Sequence, residues 1–434
     1  LSSLFGWNIY YTNILMGGLL IIYTMSGGAK AVAYTQRLQL IVIFTGMFLA
    51  AYMVVNMLPE NVGFIDALEV SGKLGKLNVI TTGFEKGSFD WSDQYNLLSG
   101  IIGGFFLALS YFGTDQSQVG RYLTARSLKE SRVGLLMNGL VKVPMQFAIL
   151  LIGALVFTFY QFNKAPVFFN EVQLGRLEAS PVYNDSLRQV REQYDVLTRE
   201  KQQTVIQYTT ASDNRDAGGE AASLALLRSQ QGKADSLRGK IKEWLKRPEI
   251  GGDGNDTNYI FLRFVVDHLP AGLVGLLIAI IFLASWGSIA AAINSLASCS
   301  MVDFHKRFTK KKETGEDEYR LSKWYTLAWG IFCIVVAMFT YNIGNSLIEA
   351  VNVLGSLFYG VILGVFLVAF FMKQVRSGHV VFWAAVLAEL LVLTVFILTK
   401  MKIFRMGFLW LNPIGAFGVI FFSLLLHRLI LQKK

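Results

Sequence analysis

The residues of this chain best able to do chemistry stand inside its apolar runs. One group is Ser99-Gly100-Ile101-Ile102-Gly103-Gly104, continued by Ser110-Tyr111-Phe112-Gly113-Thr114-Asp115-Gln116. Another is Ala284-Ser285-Trp286-Gly287-Ser288. In lipid, irregular backbone survives only where protein or a water-filled cavity covers it, so such stretches suit helices broken at a mid-membrane binding site. The plainer reading is close helix packing, in which small residues let two backbones approach. Ionisable side chains form a second set. Lys142 lies in an apolar run close to Pro144 and Gln146, where a charge is costly and marks function by default. Its long stem equally suits it to snorkel to the inner surface. Glu349 lies near the outer end of its run and reaches water, whereas Glu389 is mid-run and suits a buried pairing or a proton-sensitive role. Covalent chemistry has no such support. The chain holds no HExxH, phosphate loop or nucleophile motif, so no catalytic residue is assigned and an enzyme is excluded.

These residues need membrane-spanning helices to position them. The chain is 53% hydrophobic, with 33 Phe, 16% charged residues and a mean hydropathy of +0.45. Apolar runs near 5–25, 38–58, 96–115, 134–160, 268–298, 322–341, 346–372, 379–399 and 406–430 reach the ~20 residues that a helix needs to cross ~30 Å of hydrocarbon. The expected class is an all-α polytopic membrane protein. Its parts are a transmembrane core at 1–161, an insertion at 162–260 and a second transmembrane part at 261–434. The first should hold about four helices and the last about five. Leu1 opens just before an apolar run with no Met and no signal peptide, which reads as an N-terminal truncation. Cys299 and Cys333 have no CxxC spacing and read as inert thiols.

The formal charge of +10 has no basic patch with interleaved aromatics, so nucleic acid is excluded as a partner. The basic residues instead sit in short loops. Arg121, Arg126, Lys129 and Arg132 follow the third run, Lys306, Arg307 and Lys310 to Lys312 the fifth, and Lys373 and Arg376 the seventh. Arg428, Lys433 and Lys434 close the chain. With alternating spans all fall on one side, the cytoplasm, which puts the C-terminus inside and residues 162–260 outside. Lys400, Lys402 and Arg405 are the one loop that disagrees. Within the insertion, Leu187, Val190, Tyr194 and Leu197 are spaced as one helix face, and Leu237, Ile241 and Trp244 repeat the pattern after ASDNRDAGGE. This predicts two amphipathic helices folded back as a hairpin, the first capped by Asn184, Asp185 and Ser186. Such a hairpin either covers the mouth of the membrane part or serves as a lid or partner-binding element.

Several motifs together resemble the sodium:solute symporter family. Gly27, Gly28, Ala31, Val32, Thr35 and Gln39 form one, and Asp115, Gln116 and Arg121 another. Leu269, Pro270, Gly272 and Leu273 open a third that ends in Asn294 and Ser295, and Glu349, Asn352, Gly355 and Ser356 form a fourth. The resemblance implies a LeuT-like inverted-repeat transporter core that lacks its first helices, since Leu1 falls just before the family's fourth core helix. It implies a multi-pass protein of a bacterial inner membrane that moves a small organic solute, such as a sugar, sialic acid, amino acid or carboxylate. No cofactor is implied beyond Na+ as the coupling ion.

Residue by residue, the resemblance puts the main sodium site on Ala284, Gly287 and Ser288, of which only Ser288 keeps a hydroxyl. It puts Gln36 where members often have Asp, and Ala290 and Ala291 where some carry the hydroxyls of a second sodium site. These departures imply that no second ion binds by the family's scheme. The gating aromatic of the broken sixth core helix falls at Tyr111, its amide partner at Ala108, and another substrate-contacting amide near Asn352. The expectation is therefore sodium-coupled symport by alternating access. The rivals are a proton-coupled or uncoupled carrier of the same fold and a transporter-like solute sensor.

Overall fold

The computed structural model describes residues 7–78, 81–85, 87–123, 125, 127–309, 315–339 and 347–431. Leu1, Arg126, Lys310 to Lys312, Lys433 and Lys434 lie outside the described residues, as do the side chains of Gly27, Gly28, Ala31, Val32, Thr35, Gln36 and Arg121. The described chain is almost wholly helical. One small antiparallel hairpin, β1 (Phe84–Glu85) and β2 (Ser88–Phe89), pairs Phe84 with Phe89 through a turn at Gly87, whose φ is +85°.

Among the described residues, eight helical segments are long and apolar enough to cross a membrane. The first two lie in one helix, α1 (Ile9–Asn56), started by Asn8, whose side chain accepts from the Tyr10 amide. Two separate spans were expected here. The helix continues because no proline interrupts it, and the junction supplies good helix formers around a Gly pair that costs only about 1 kcal/mol per residue. At 1.5 Å per residue its 48 residues extend ~72 Å, more than twice the hydrocarbon depth. The apolar windows Ile9–Ser26 and Gln39–Asn56 remain distinct within it.

After α2 (Phe64–Lys73) and β1–β2, a π-helical stretch at Ser99–Gly103 leads into α3 (Gly104–Gly113), and α4 (Gln116–Leu123) follows a break. α5 (Leu128–Phe162) passes through Pro144. The insertion gives α6 (Glu171–Glu178), α7 (Asn184–Asp213) and α8 (Ala217–Lys246), and α9 (Ile260–His268) follows it. Spans α10 (Ala271–Cys299), α11 (Gly315–Phe339), α12 (Leu347–Phe371), α13 (Gly378–Lys400) and α14 (Leu411–Leu431) complete the chain.

The helices gather into two compact units: Leu1–Leu77 with Gly139–Gly344, and Asn78–Asn138 with Asn345–Lys434. The insertion at 162–260 lies within the first unit. There α10 turns a stripe of Leu277, Ile280, Gly287, Ala290, Ile293 and Ala297 inward. α1 and α11 interlock reciprocally: a Cβ on Gly17 would strike Ile334, and one on Gly330 would strike Ile21. Small residues let membrane helices pack this closely.

The predicted hairpin is present as α7 and α8, with the turn at 214–216. Its start differs from the expectation. Tyr183 is the cap residue and makes no side-chain cap bond, so Asn184 and Asp185 lie inside the first turn, where the Asp185 charge still favours the helix N-terminus. The second helix is capped by Asp216, which accepts from the Gly218 and Gly219 amides. The hairpin has two cores. Its base packs Leu187, Val190, Tyr194, Ile241 and Leu245 against Phe168, Leu174 and Leu177. Farther along, Val205, Tyr208 and Leu227 join the membrane part's own cluster with Val54, Val70, Leu155 and Phe159. Polar bonds follow the same path: Tyr208 Oη and Ser212 Oγ donate to Glu69 Oε1 at 3.0 and 3.2 Å, and Lys73 pairs with Glu220 at 2.6 Å. Asp256, fully buried, ties the base by accepting from Arg238 at 2.6 Å and the Phe169 amide at 3.1 Å.

In the second unit α12 and α14 cross on glycines. A Cβ on Gly360 would strike the Asn412 backbone, and one on Gly364 that of Ala416. α13 completes the layer with Ala384, Ala388 and Val392 buried, Ala388 lying against Gly418.

Candidate functional site

Of the two stretches expected to break, one does. α3 ends at Gly113, and the Thr114 amide still donates to the Ser110 carbonyl at 2.8 Å. Asp115 then starts α4: its carbonyl receives the Gln118 and Val119 amides, and its Oδ1 receives the Ser117 amide and hydroxyl at 2.8 and 2.6 Å. A carboxylate at a helix N-terminus both satisfies orphan donors and meets the positive end of the dipole. Its other oxygen, Oδ2, accepts from the Tyr359 hydroxyl of α12 at 2.8 Å. Ser110 Oγ donates to the Tyr359 carbonyl at 2.7 Å. Tyr111 is half-buried, with its ring 5.0 Å from Phe112 and 6.3 Å from Tyr359.

The other stretch stays helical. α10 runs unbroken through Ala284–Ser288, a correction to the expected break. Ser285 Oγ folds back on the Ile281 carbonyl at 2.7 Å, so its hydroxyl is satisfied within its own helix. Gly287 and Ala290 belong to the buried stripe. Ser288 is exposed, and Ala284 and Ala291 are half-buried at the margin of the stripe. A cleft of about 300 Å³ lies between α1, α10 and α11 and is lined by Thr12, Asn13, Ser285, Trp286 and Cys333 among apolar neighbours. It borders Ser285 and not Ser288.

The other predicted residues are dispersed. Ala108 is exposed on α3, and Asn352 is half-buried about two turns from Tyr359 along α12. Lys142 is exposed on α5 in the first unit, beside exposed Gln146. Glu349 is half-buried, and its charge, after burial itself, pushes up the phenol of Tyr95 in the loop before α3, so both share one end of the second unit. Glu389 Oε1 is buried with no hydrogen-bond partner among the described residues. The set splits, with Ala284, Gly287, Ser288 and Lys142 in the first unit and Ala108, Tyr111, Asn352 and Glu389 in the second. Among the described residues no group of three His, Cys, Asp or Glu is placed to hold a metal ion.

Outside the spans, Asp90 and Lys201 are among the groups whose ionisation the surroundings shift. The hydroxyl and amide of Ser92 hold the Asp90 carboxyl below its ordinary range, in a polar hollow that also contains Thr81, Asp93 and Tyr95. Burial in the hairpin lowers the Lys201 amine to about 8, against the raising influence of Asp235. Its Nζ donates to Gln231 Oε1 across the hairpin at 2.6 Å.

Tyr359 was missed from sequence. The only available signal was its position on the same run as Asn352, Gly355 and Ser356. Ser356, quoted for the motif alone, is fully buried and accepts from Asn412 at 2.9 Å, a packing role between α12 and α14.

Comparison with known proteins bears on the fold and the family. The structure resembles a Na+-coupled sialic acid symporter solved in a substrate-bound, outward-open state, with a TM-score of 0.65, 19% identity, and coverage of 99% of this chain and 68% of that one. In sequence, the sodium/sialic acid symporter NanT of Aliivibrio fischeri is 22% identical over 367 residues, 84% of this chain and 54% of the relative. SiaT of Proteus mirabilis is 22% identical over 375 residues, 85% of this chain and 56% of the relative. The chain thus spans about half the length of the curated relatives it matches. The model of the sodium:solute symporter family matches residues 1–173 and 246–400, leaving most of the α6–α8 insertion between the two matched stretches. That match reaches both membrane parts, and the chain belongs to the sodium:solute symporter family.

Proposed function

We propose that the whole protein is a secondary active transporter that couples sodium movement to that of a small organic solute by alternating access. The observation that carries this reading is the family match across both membrane parts, in a chain whose α3 breaks beside Tyr111. Sodium is held at the Ala284 carbonyl and the Ser288 hydroxyl, beside Gly287, and favours the outward-open state by population shift. Tyr111 closes over solute, with Ala108, Asn352 and Lys142 as further lining candidates. The solute is a sugar, sialic acid, amino acid or carboxylate, and the relatives named for sialic acid make that the first to try. The protein spans the inner membrane of a bacterium, with the hairpin outside and the C-terminus in the cytoplasm.

Reconstitution of the full-length protein tests the coupling. Sialic acid uptake should require an inward sodium gradient, and Ser288→Ala should reduce it on the order of tenfold, the effect of losing one oxygen contact. A cysteine at Gln207 and one at Glu316 should be labelled by an impermeant reagent from opposite sides. A proton-coupled or uncoupled carrier is the second reading, favoured by the unpartnered Glu389 Oε1. Uptake that ignores sodium and survives Ser288→Ala selects it. Solute binding with no uptake selects a sensor.

A further inference from the structure

Tyr359 lies midway along the 25-residue α12, so the Asp115 carboxylate that it meets is at membrane depth. A carboxylate there is costly and needs donors. Asp115 has three: the Tyr359 hydroxyl at 2.8 Å and the Ser117 amide and hydroxyl at 2.8 and 2.6 Å. Its partner is held in turn. Ser110, from the α3 side of the break, donates to the Tyr359 carbonyl, while Asp115, from the α4 side, accepts from the Tyr359 hydroxyl. One residue of α12 therefore clasps both flanks of the break. Tyr111 stands between those flanks, with its ring facing the same tyrosine at 6.3 Å.

We infer that Asp115, Tyr359 and Ser110 form a latch that fixes the α3–α4 break against α12 and thereby sets the position of Tyr111. The inference deepens the transport reading and rests on it for its purpose. Its geometry does not depend on which ion or solute is moved. Tyr359 and Asp115 are positioning residues. Opening the break requires surrender of the hydroxyl bond, the carbonyl bond or both, so the latch adds a barrier to moving Tyr111 that packing alone would not supply. A hydrogen bond to a charged group is among the stronger ones at such a place.

The test uses purified full-length protein in lipid nanodiscs and two readouts that need no transport. Tyr359→Phe removes only the hydroxyl. Hydrogen exchange at the Gln118 and Val119 amides, both bonded to the Asp115 carbonyl, should speed up on the order of tenfold. The amides of α13 and α14 should speed up clearly less, and the thermal midpoint should fall by no more than a few degrees. A cysteine at Tyr111 should be alkylated by maleimide several-fold faster in the Tyr359→Phe background. Adding Asp115→Asn to Tyr359→Phe should change either rate less than twofold, because the bond is already lost. Unchanged exchange at Gln118 and Val119, or loosening shared equally with α13 and α14, overturns the latch. If the unmodified protein moves no solute, the transport reading falls, and the exchange and alkylation results still decide the latch.

Discussion

Residues 284–288 and 110–116 are built from the same glycines and hydroxyls, yet the first stretch continues as helix and the second breaks. The difference lies in where the polar groups find partners. In α10, Ser285 bonds the Ile281 carbonyl and Ser295 bonds that of Ala291, each within its own helix. At the break, Ser110 and Asp115 bond a different helix. A self-directed hydroxyl does not by itself decide continuity, since Thr114 Oγ1 at the break also donates to the Ser110 carbonyl one turn back, at 2.9 Å. A break in lipid is sustained where protein groups satisfy the freed polar atoms; here Asp115 starts the next helix and Tyr359 of α12 donates to its carboxylate.

The largest test of this contrast is Asp115→Ala, which deletes the α4 start and the acceptor of Tyr359. It should lower unfolding free energy by about 3 kcal/mol, read by denaturant titration in mixed micelles. Asp115→Asn, which still accepts, should lose less than half of that. Ser110→Ala comes next, at about 1 kcal/mol, since the Tyr359 carbonyl keeps its place in α12. Ser285→Ala and Ser295→Ala in α10 should stay within about 0.5 kcal/mol. If either costs as much as Ser110→Ala, the contrast drawn here is wrong.

The smallest effect concerns a polar group paired outside the membrane. Lys201 is bonded to Gln231, but burial still brings its amine from 10.5 down to about 8. Between those values the unfolded chain holds more protons than the folded one, so stability rises with pH across that window. The thermal midpoint of the protein should climb from pH 8 to pH 9.5. Lys201→Gln should remove the part of that climb due to this amine, and an equal climb in both proteins would show that it arises elsewhere.

Much of the fold was legible because apolar length and helical spacing are local signals. The spans came from run length, and the hairpin came from Leu187, Val190, Tyr194 and Leu197 on one face. The two spans within α1 were legible from run length, but the helix that joins them was not, because hydropathy reports where lipid begins and ends, whereas helix continuity depends on backbone chemistry that the junction does not interrupt. At the candidate site, Tyr111 and Asp115 were visible as a motif. Their partner Tyr359 was not, because it stands 244 positions away from Asp115 and no local pattern marks it. Likewise α10 carries the composition of a broken helix, and composition does not show that the Ser285 hydroxyl is satisfied within that helix and not by a neighbour. The two cores of the hairpin were hidden for a related reason. Spacing shows that a face is buried but not against what, and Val205, Tyr208 and Leu227 turn out to be shared with α2 and α5.

The paired notches at Gly17 and Gly330 have a mechanical meaning. Each receives an isoleucine from the opposite helix, Ile334 in one and Ile21 in the other. A single knob in a single hole still allows rolling about that point. Two knobs pointing in opposite directions, one on each helix, resist both rotation and axial slip, as a spline does on a shaft. The first part of α1 and the body of α11 are thus geared together. Sliding or rolling one helix past the other would force an isoleucine against a backbone, so any displacement of the first part of α1 is expected to carry α11 with it.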